Sequence, residues 1–154
     1  MIAEPASLYS LVRRLGVSDL DRVMEIELDV YPYPWTRGIF TDCIRVGYDC
    51  WGLQAAASLL GYCIQTHAAG ESHLLNLCIA PESQRQGLGS VLLDHAIRLA
   101  RSQGCNSMFL EVRPSNPAGF SLYEKRGFVV VGERPGYYTG AKGRENAIVM
   151  KLDL

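Results

Sequence analysis

Gln84-Arg85-Gln86-Gly87-Leu88-Gly89-Ser90 is the stretch on which the reading of this chain turns. Before it, Ser72 to Ile79 is a strongly apolar strand closed by Pro81. After it, Ser90 to Ser102 spaces Val91, Leu92, Leu93, Ala96, Ile97, Leu99 and Ala100 over a broad helical face, stopped by Gly104. Ser107 to Val112 then reads as a second strand. Strand, helix and strand predict a parallel crossover, right-handed by rule. The glycines at i and i+2 let the loop turn sharply and come close to a ligand. The first N–H groups of the following helix lack internal partners and add to the positive end of its dipole. Together they form a cradle for a diphosphate, with Arg85 able to add charge from the rim. Three readings compete for that loop. A plain glycine turn would start a helix and do nothing more. A nucleotide P-loop is disfavoured, because GxxxxGK[ST] is absent. A dinucleotide fingerprint fits Gly87 and Gly89, with Glu111 about 20 residues on. However, Leu92 stands where its third glycine belongs, and five polar residues separate Pro81 from Gly87.

Working outward, Ser7 to Arg14 suggests a first strand. Ser18 reads as the N-cap of a helix carrying Asp19 and Asp21 in its first turn and Leu20, Val23, Met24 and Leu28 at helical spacing. Tyr31-Pro32-Tyr33-Pro34-Trp35 breaks it, and Thr36 restarts a short helix through Phe40 and Ile44. Tyr48 to Gln54 and Ser58 to His67 predict antiparallel strands around an Ala-rich turn. Asn116-Pro117 is a cap followed by proline at the first helical position, and that helix ends at Gly127 with Phe128 folding back on it. Phe128 to Glu133 and Glu145 to Leu152 make a final strand pair around a long loop. The expected class is α/β, as a single domain over residues 1–154.

The composition is that of a globular chain: 154 residues, 48% hydrophobic and 20% charged, which argues against disorder. The net charge of -1 leaves no basic excess for a general nucleic-acid grip. No apolar run approaches the ~20 residues of a membrane-spanning helix. Met1 to Ser10 lacks the basic and apolar regions of a signal peptide. Cys43, Cys50, Cys63, Cys78 and Cys105 are odd in number and form no CxxC pair, so they read as reduced, buried thiols of a cytoplasmic protein. His67, His73 and His95 lie far apart, and neither HExxH nor a zinc spacing occurs, so no metal is expected.

Gln84-x-x-Gly87-x-Gly89 resembles the acyl-CoA pyrophosphate loop of the GNAT acetyltransferases. Asn76-Leu77-Cys78-Ile79-Ala80-Pro81 before it, Leu110-Glu111-Val112-Arg113 after the helix, and Asn116 with Leu122-Tyr123-Glu124-Lys125-Arg126-Gly127-Phe128 fall in that family's order and spacing. Pro34-Trp35, Arg85 to Gly89, and Tyr137-Tyr138 with Gly143-Arg144-Glu145-Asn146-Ala147-Ile148 narrow the resemblance to the ribosomal-protein-alanine N-acetyltransferases, the RimI family. It runs from about Ser18 to Lys151. It implies the GNAT fold: a mixed, mostly antiparallel sheet splayed at a central parallel pair, with about four helices. It also implies acetyl-CoA as co-substrate. Backbone groups of Leu77, Cys78 and Ile79 would hold the pantetheine arm, and the N–H of Cys78 or Ile79 would bind the thioester oxygen. Arg85, Gln86, Gly87, Leu88, Gly89 and Ser90 map to the pyrophosphate cradle, and Asn116 to a further CoA contact that can double as the helix cap. Glu111 maps to the general base and Tyr123 to the acid that protonates the leaving thiolate. Plain alternatives are a cation-paired carboxylate and a packed aromatic. Cys78 is not needed as a nucleophile, because an amine attacks a thioester directly. Tyr31, Pro34, Trp35, Tyr137 and Tyr138, read as loop residues, would flank the substrate peptide. Asp19, Asp21, Glu25, Glu27 and Asp29 read as a solvated acidic face that would also suit a basic ribosomal-protein tail.

The chain departs from the pattern in two places. Pro114 and Pro117 stiffen the segment between Glu111 and Asn116. Tyr31-Pro32-Tyr33 is bulky for a pocket that accepts any small first residue. The expectation is acetyl transfer to the N-terminal amine of a protein, the alanine of a small-subunit ribosomal protein, by a monomer that engages neither nucleic acid nor membrane. The rivals are a GNAT enzyme acting on lysine or a small amine, and a non-catalytic acyl-CoA-binding module.

Overall fold

Seven strands and four helices follow one another in a computed structural model that describes residues 11–154. The strands are β1 (Leu11–Arg14), β2 (Asp49–Ala55), β3 (Ser58–Ala68), β4 (Glu71–Ile79), β5 (Ser107–Val112), β6 (Val129–Gly140) and β7 (Gly143–Asp153). The helices are α1 (Leu20–Val30), α2 (Arg37–Arg45), α3 (Leu88–Ser102) and α4 (Pro117–Lys125). The part of the expected first strand over residues 7–10 lies outside the described residues. No helix among them is long and apolar enough to cross a membrane. The chain falls into two compact units. One comprises residues up to Thr66 with Asn76–Ala96, and the other His67–Leu75 with Ile97–Leu154.

In the first unit the strand order is β1-β2-β3, followed by the second half of β4. β1 and β3 both pair antiparallel with β2. Leu20, Val23, Ile26, Phe40, Leu53, Tyr62, Ile64, Leu92 and Leu93 are buried there. Thr36 caps α2 as the sequence predicts, its hydroxyl accepting the Ile39 N–H. Gly61 on β3 lies where a Cβ would stand 2.6 Å from the Cys78 carbonyl, so only glycine permits so close a backbone.

The start of α1 corrects the sequence reading. Ser18 does not cap it; a short 3-10 turn over Val17–Asp19 precedes the helix. The Asp19 carboxylate reaches back to accept the Gly16 N–H at 2.8 Å and pairs with Arg13. The buried positions also shift. Leu28 is exposed, whereas Glu27 is buried, so Glu27 leaves the supposed solvated acidic face. The Ile26 side of the helix turns inward and carries Glu27 with it, into a set of donors that satisfies the carboxylate.

In the second unit the first half of β4 is followed by β5-β7-β6. β4 and β5 are parallel, with Glu71 opposite Ser107 through Leu74 opposite Leu110. That ladder ends there, leaving Leu75–Ile79 and Glu111–Val112 beyond it. β5 pairs antiparallel with β7, and β7 with β6. Met108, Leu110, Val112, Phe128 and Met150 are buried in this unit. Asn116 caps α4 by accepting the Gly119 N–H at 3.0 Å, Pro117 opens the helix, and Phe128 folds back onto Tyr123. The expected long loop after Glu133 is instead the continuation of a hairpin. β6 runs to Gly140 through register shifts at Val130/Gly132 and Arg134/Tyr138, so Tyr137 and Tyr138 sit on a strand. The first shift falls at Val131, and the second takes up Pro135 and Gly136, residues whose turn propensity suggested a loop.

Candidate active site

In the first unit the expected cradle turns at Arg85 and Gly87, while Gly89 lies within the helix. Arg85 (φ 64) and Gly87 (φ 80) both take left-handed conformations before α3 begins at Leu88, two residues earlier than the sequence suggested. A non-glycine residue there is strained, and such strain concentrates at ligand-binding loops. The first α-helical bond runs from Val91 N to Gly87 O. The N–H groups of Leu88, Gly89 and Ser90 are therefore the ones a helix leaves for outside acceptors. A Cβ built on Gly87 meets nothing within 4 Å, and Arg85, Gln86 and Gly87 are exposed. The loop thus has room and donors for a diphosphate. Gln84 closes it back on β4, its side-chain amide donating to the Ile79 carbonyl at 3.0 Å.

The end of β4 presents its backbone in alternation. Ala80 N donates to Leu60 O on β3 at 2.8 Å, and the Cys78 carbonyl lies against Gly61. With a period of two, the N–H and C=O groups of Leu77 and Ile79 point to the opposite edge. That parity selects Ile79 over Cys78 as the N–H donor on that edge. The Leu77 carbonyl there accepts the Tyr31 hydroxyl at 2.9 Å. The Cys78 thiol is buried, and that burial pushes it up to about 12, which removes it as a thiolate nucleophile near neutral pH.

Glu27 was not foreseen in this region. Its Oε1 accepts from the Tyr62 hydroxyl at 2.6 Å and from Asn76 Nδ2 at 3.2 Å, and its Oε2 accepts the Trp35 N–H at 2.9 Å. One buried carboxylate thereby ties the Tyr31–Trp35 segment to β3 and β4. Trp35 packs on Phe40 with centroids 5.2 Å apart, and Pro34 is half-buried.

In the second unit Glu111 lies at the end of β5 with its side chain only 7% exposed. Its Oε2 meets His73 Nε2 from β4, and its Oε1 lies 3.3 Å from Arg134 Nε on β6. The Glu111 carboxylate is therefore covered and paired. The cation is Arg134 rather than the neighbouring Arg113, which instead lies 3.3 Å from Glu145 and donates to Thr139 O at 2.7 Å. Arg134 also lies over Tyr137, 5.3 Å from its centroid, and Arg113 over Tyr138 at 4.2 Å. Tyr137 and Tyr138 pack edge-on with centroids 4.9 Å apart. Burial, followed by the nearby Glu111 charge, pushes the Tyr138 hydroxyl up to about 12. Tyr123, on α4, is buried against Phe128 with centroids 5.8 Å apart, one helical stretch beyond the Asn116 cap.

The predicted residues thus gather into two sets. Leu77–Ile79, Arg85–Ser90, Tyr31, Pro34 and Trp35 belong to the first unit, and Glu111, Asn116, Tyr123, Tyr137 and Tyr138 to the second. His73, Arg134 and Glu27 were missed. Only a buried-face parity argument on β4 and a helical count on α1 could have drawn attention to them. No cluster of potential metal ligands is found among the described residues.

The acetyltransferase (GNAT) family model matches residues 20–128. The [ribosomal protein bS18]-alanine N-acetyltransferase of Escherichia coli K12 is 34% identical over 143 residues, 93% of this chain and 97% of that protein. A putative [ribosomal protein bS18]-alanine N-acetyltransferase of Bacillus subtilis is 32% identical, covering 90% of this chain and 92% of its own. Among solved structures, the ribosomal-protein-S18-alanine N-acetyltransferase from Escherichia coli superposes with a TM-score of 0.86, covering 93% of this chain and 92% of that one. Ard1 from Thermoplasma volcanium, 26% identical, covers 94% of this chain and 97% of that one with a TM-score of 0.83. The fold, the helix-initiating glycine loop and likeness along nearly the whole length agree, and the chain belongs to the GNAT acetyltransferase family.

Proposed function

We propose that this chain transfers acetyl from acetyl-CoA to the N-terminal α-amine of a protein, the substrate being the N-terminal alanine of a small-subunit ribosomal protein. The observation that carries the substrate is the 34% identity, spread over 93% of the chain, to enzymes named for that reaction. The pyrophosphate of CoA lies on the N–H groups of Leu88, Gly89 and Ser90 with Arg85 at the rim, and Asn116 adds a further contact. The pantetheine arm runs along the Leu77–Ile79 edge and takes the Leu77 carbonyl from Tyr31. Tyr31, Pro34, Trp35, Tyr137 and Tyr138 contact the peptide.

The chemistry is a direct transfer within a ternary complex. An α-amine has a pKa near 8 against roughly 10.4 for lysine, so a modest base suffices to keep it neutral. The lone pair of the neutral amine attacks the thioester carbon, and Glu111, through a water, takes the proton that the nitrogen must lose to become an amide. The Ile79 N–H holds the oxygen that gains charge. The C–S bond then breaks as Tyr123 gives its proton to sulfur, releasing CoA as the thiol and the peptide as its N-acetyl amide.

The test incubates the protein with acetyl-CoA and peptides beginning Ala, Ser, Met or acetyl-Ala, each with internal lysines, and reads products by mass spectrometry. Acetylation of the free α-amine of the Ala peptide, absent in Glu111→Gln and Tyr123→Phe, is the expected result. Lysine modification of the blocked peptide would discard the substrate and keep the family. Acetyl-CoA binding without product would favour a binding module.

A further inference from the structure

Glu111 is held by two cationic or cation-forming side chains at once, one on each oxygen, and neither follows from the proposed reaction. Arg134 always carries its charge. His73 is different: histidine is the side chain whose charge changes between about pH 5 and 8. With its side chain 33% exposed, the imidazole can exchange protons with solvent while its Nε2 faces a carboxylate that is almost fully covered. Facing a carboxylate, the neutral imidazole donates as its Nε2–H tautomer and the protonated ring donates too, so His73 orients Glu111 in either state. Only the protonated state places Glu111 between two cations. A carboxylate so placed holds an incoming proton less well, and is the weaker base.

We propose that His73 is a positioning residue for Glu111, fixing its carboxylate through Nε2 and weakening it as a base when the imidazole is protonated. This rests on Glu111 being the base. The charged and titratable groups about the pair within the second unit support the assignment. Arg134 and Tyr138 come from β6, Arg113 directly follows β5, and Glu145 and Lys151 come from β7. Arg113 is held by Glu145, Lys151 by Asp153 at 3.3 Å, and the Tyr138 hydroxyl titrates far above neutrality. Glu71, two residues before His73 on β4, is exposed.

The experiment compares His73→Ala, His73→Gln and Glu111→Gln with the unaltered protein. It uses acetyl-CoA and an Ala-initiated peptide, with kcat at saturation followed from about pH 5 to 9. Glutamine can donate one N–H as the imidazole does but cannot titrate. The expected results are a kcat loss of ~10- to 100-fold in His73→Ala from a misplaced base, and near-normal kcat at pH 8 in His73→Gln. That variant should also lose less activity than the unaltered protein towards acid pH, the decline from protonation of the substrate amine being common to both. Acetyl-CoA binding by calorimetry should be unchanged in both. Wild-type kcat in His73→Ala, or an unchanged acid limb in His73→Gln, overturns the inference. If His73→Ala does not fold, His73→Gln alone decides. Glu111→Gln separates the two levels. Full activity in that variant removes the base and this inference together, whereas an inactive Glu111→Gln with unaltered His73 variants removes only the inference.

Discussion

Tyr123 and Gly87 show how much a single position is asked to do. Tyr123 is packed edge-on against Phe128, and phenylalanine would fill the same space. Tyr123→Phe should therefore melt within ~1.5 kcal/mol of the parent while losing ~100-fold in kcat, read by thermal melts beside steady-state kinetics. A matched loss of stability and rate would make the tyrosine a packing residue only. At Gly87 the backbone is left-handed, but no atom stands where a side chain would go. Gly87→Ala should thus cost ~1–2 kcal/mol through backbone strain alone. The loop can shed that strain by leaving the cradle geometry. The KM for acetyl-CoA should rise by ~10-fold, the rate equivalent of about 1.4 kcal/mol, with the KM for peptide unmoved.

Two contacts between elements set the shape of the first unit's binding edge. Gly61 lets β3 lie against the end of β4 with no side chain between them. Gly61→Ala would push on the Cys78 carbonyl and the Ile79 side chain, and overpacking of this kind costs ~1–3 kcal/mol. Denaturant melts should register that loss, and calorimetry should show weaker acetyl-CoA binding. Glu27 accepts hydrogens from Tyr62, Asn76 and the Trp35 backbone, so α1, β3, β4 and the segment before α2 meet at one carboxylate. Glu27→Leu would strand those donors, each at ~1–3 kcal/mol, whereas Glu27→Gln keeps an acceptor and should fall between. The sequence showed most of these elements. β5 and the Thr36 and Asn116 caps stand where their residues predict, because strand patterning and capping are local signals. The strand pair of the C-terminal hairpin was expected, but its far end over residues 134–144 was read as a loop, because a bulge absorbs Pro135 and Gly136 without ending the strand. The candidate site was legible where backbone does the work, in the Arg85–Ser90 loop. It was illegible at Glu27, His73 and Arg134, whose partners Tyr62, Glu111 and Glu111 lie 35, 38 and 23 positions away in the chain.

For the whole molecule, acid is the first stress to consider. The Asp19 carboxyl lies below its ordinary value because Arg13 hydrogen-bonds to it, and the Gly16 N–H adds to this. A lowered folded value means that this stabilisation is complete above the unfolded value. It is lost as pH falls through the folded one. Asp19→Asn should therefore be less stable than the parent at neutral pH, and the gap should close below about pH 4, which paired urea melts at the two pH values would reveal. Oxidation and alkylation are a separate matter. All five cysteines are buried, and burial raises the thiols of Cys43, Cys50, Cys63 and Cys78, Cys50 to about 12. In the native state those four offer iodoacetamide little thiolate, and none of the five buried sulfurs offers it a path. Their alkylation must wait for the backbone around each to open. The chain therefore carries five built-in clocks, from α2 through β2, β3 and β4 to the turn before β5. Peptide-resolved labelling over time would rank those regions by how often each breathes, with no added probe and no mutation.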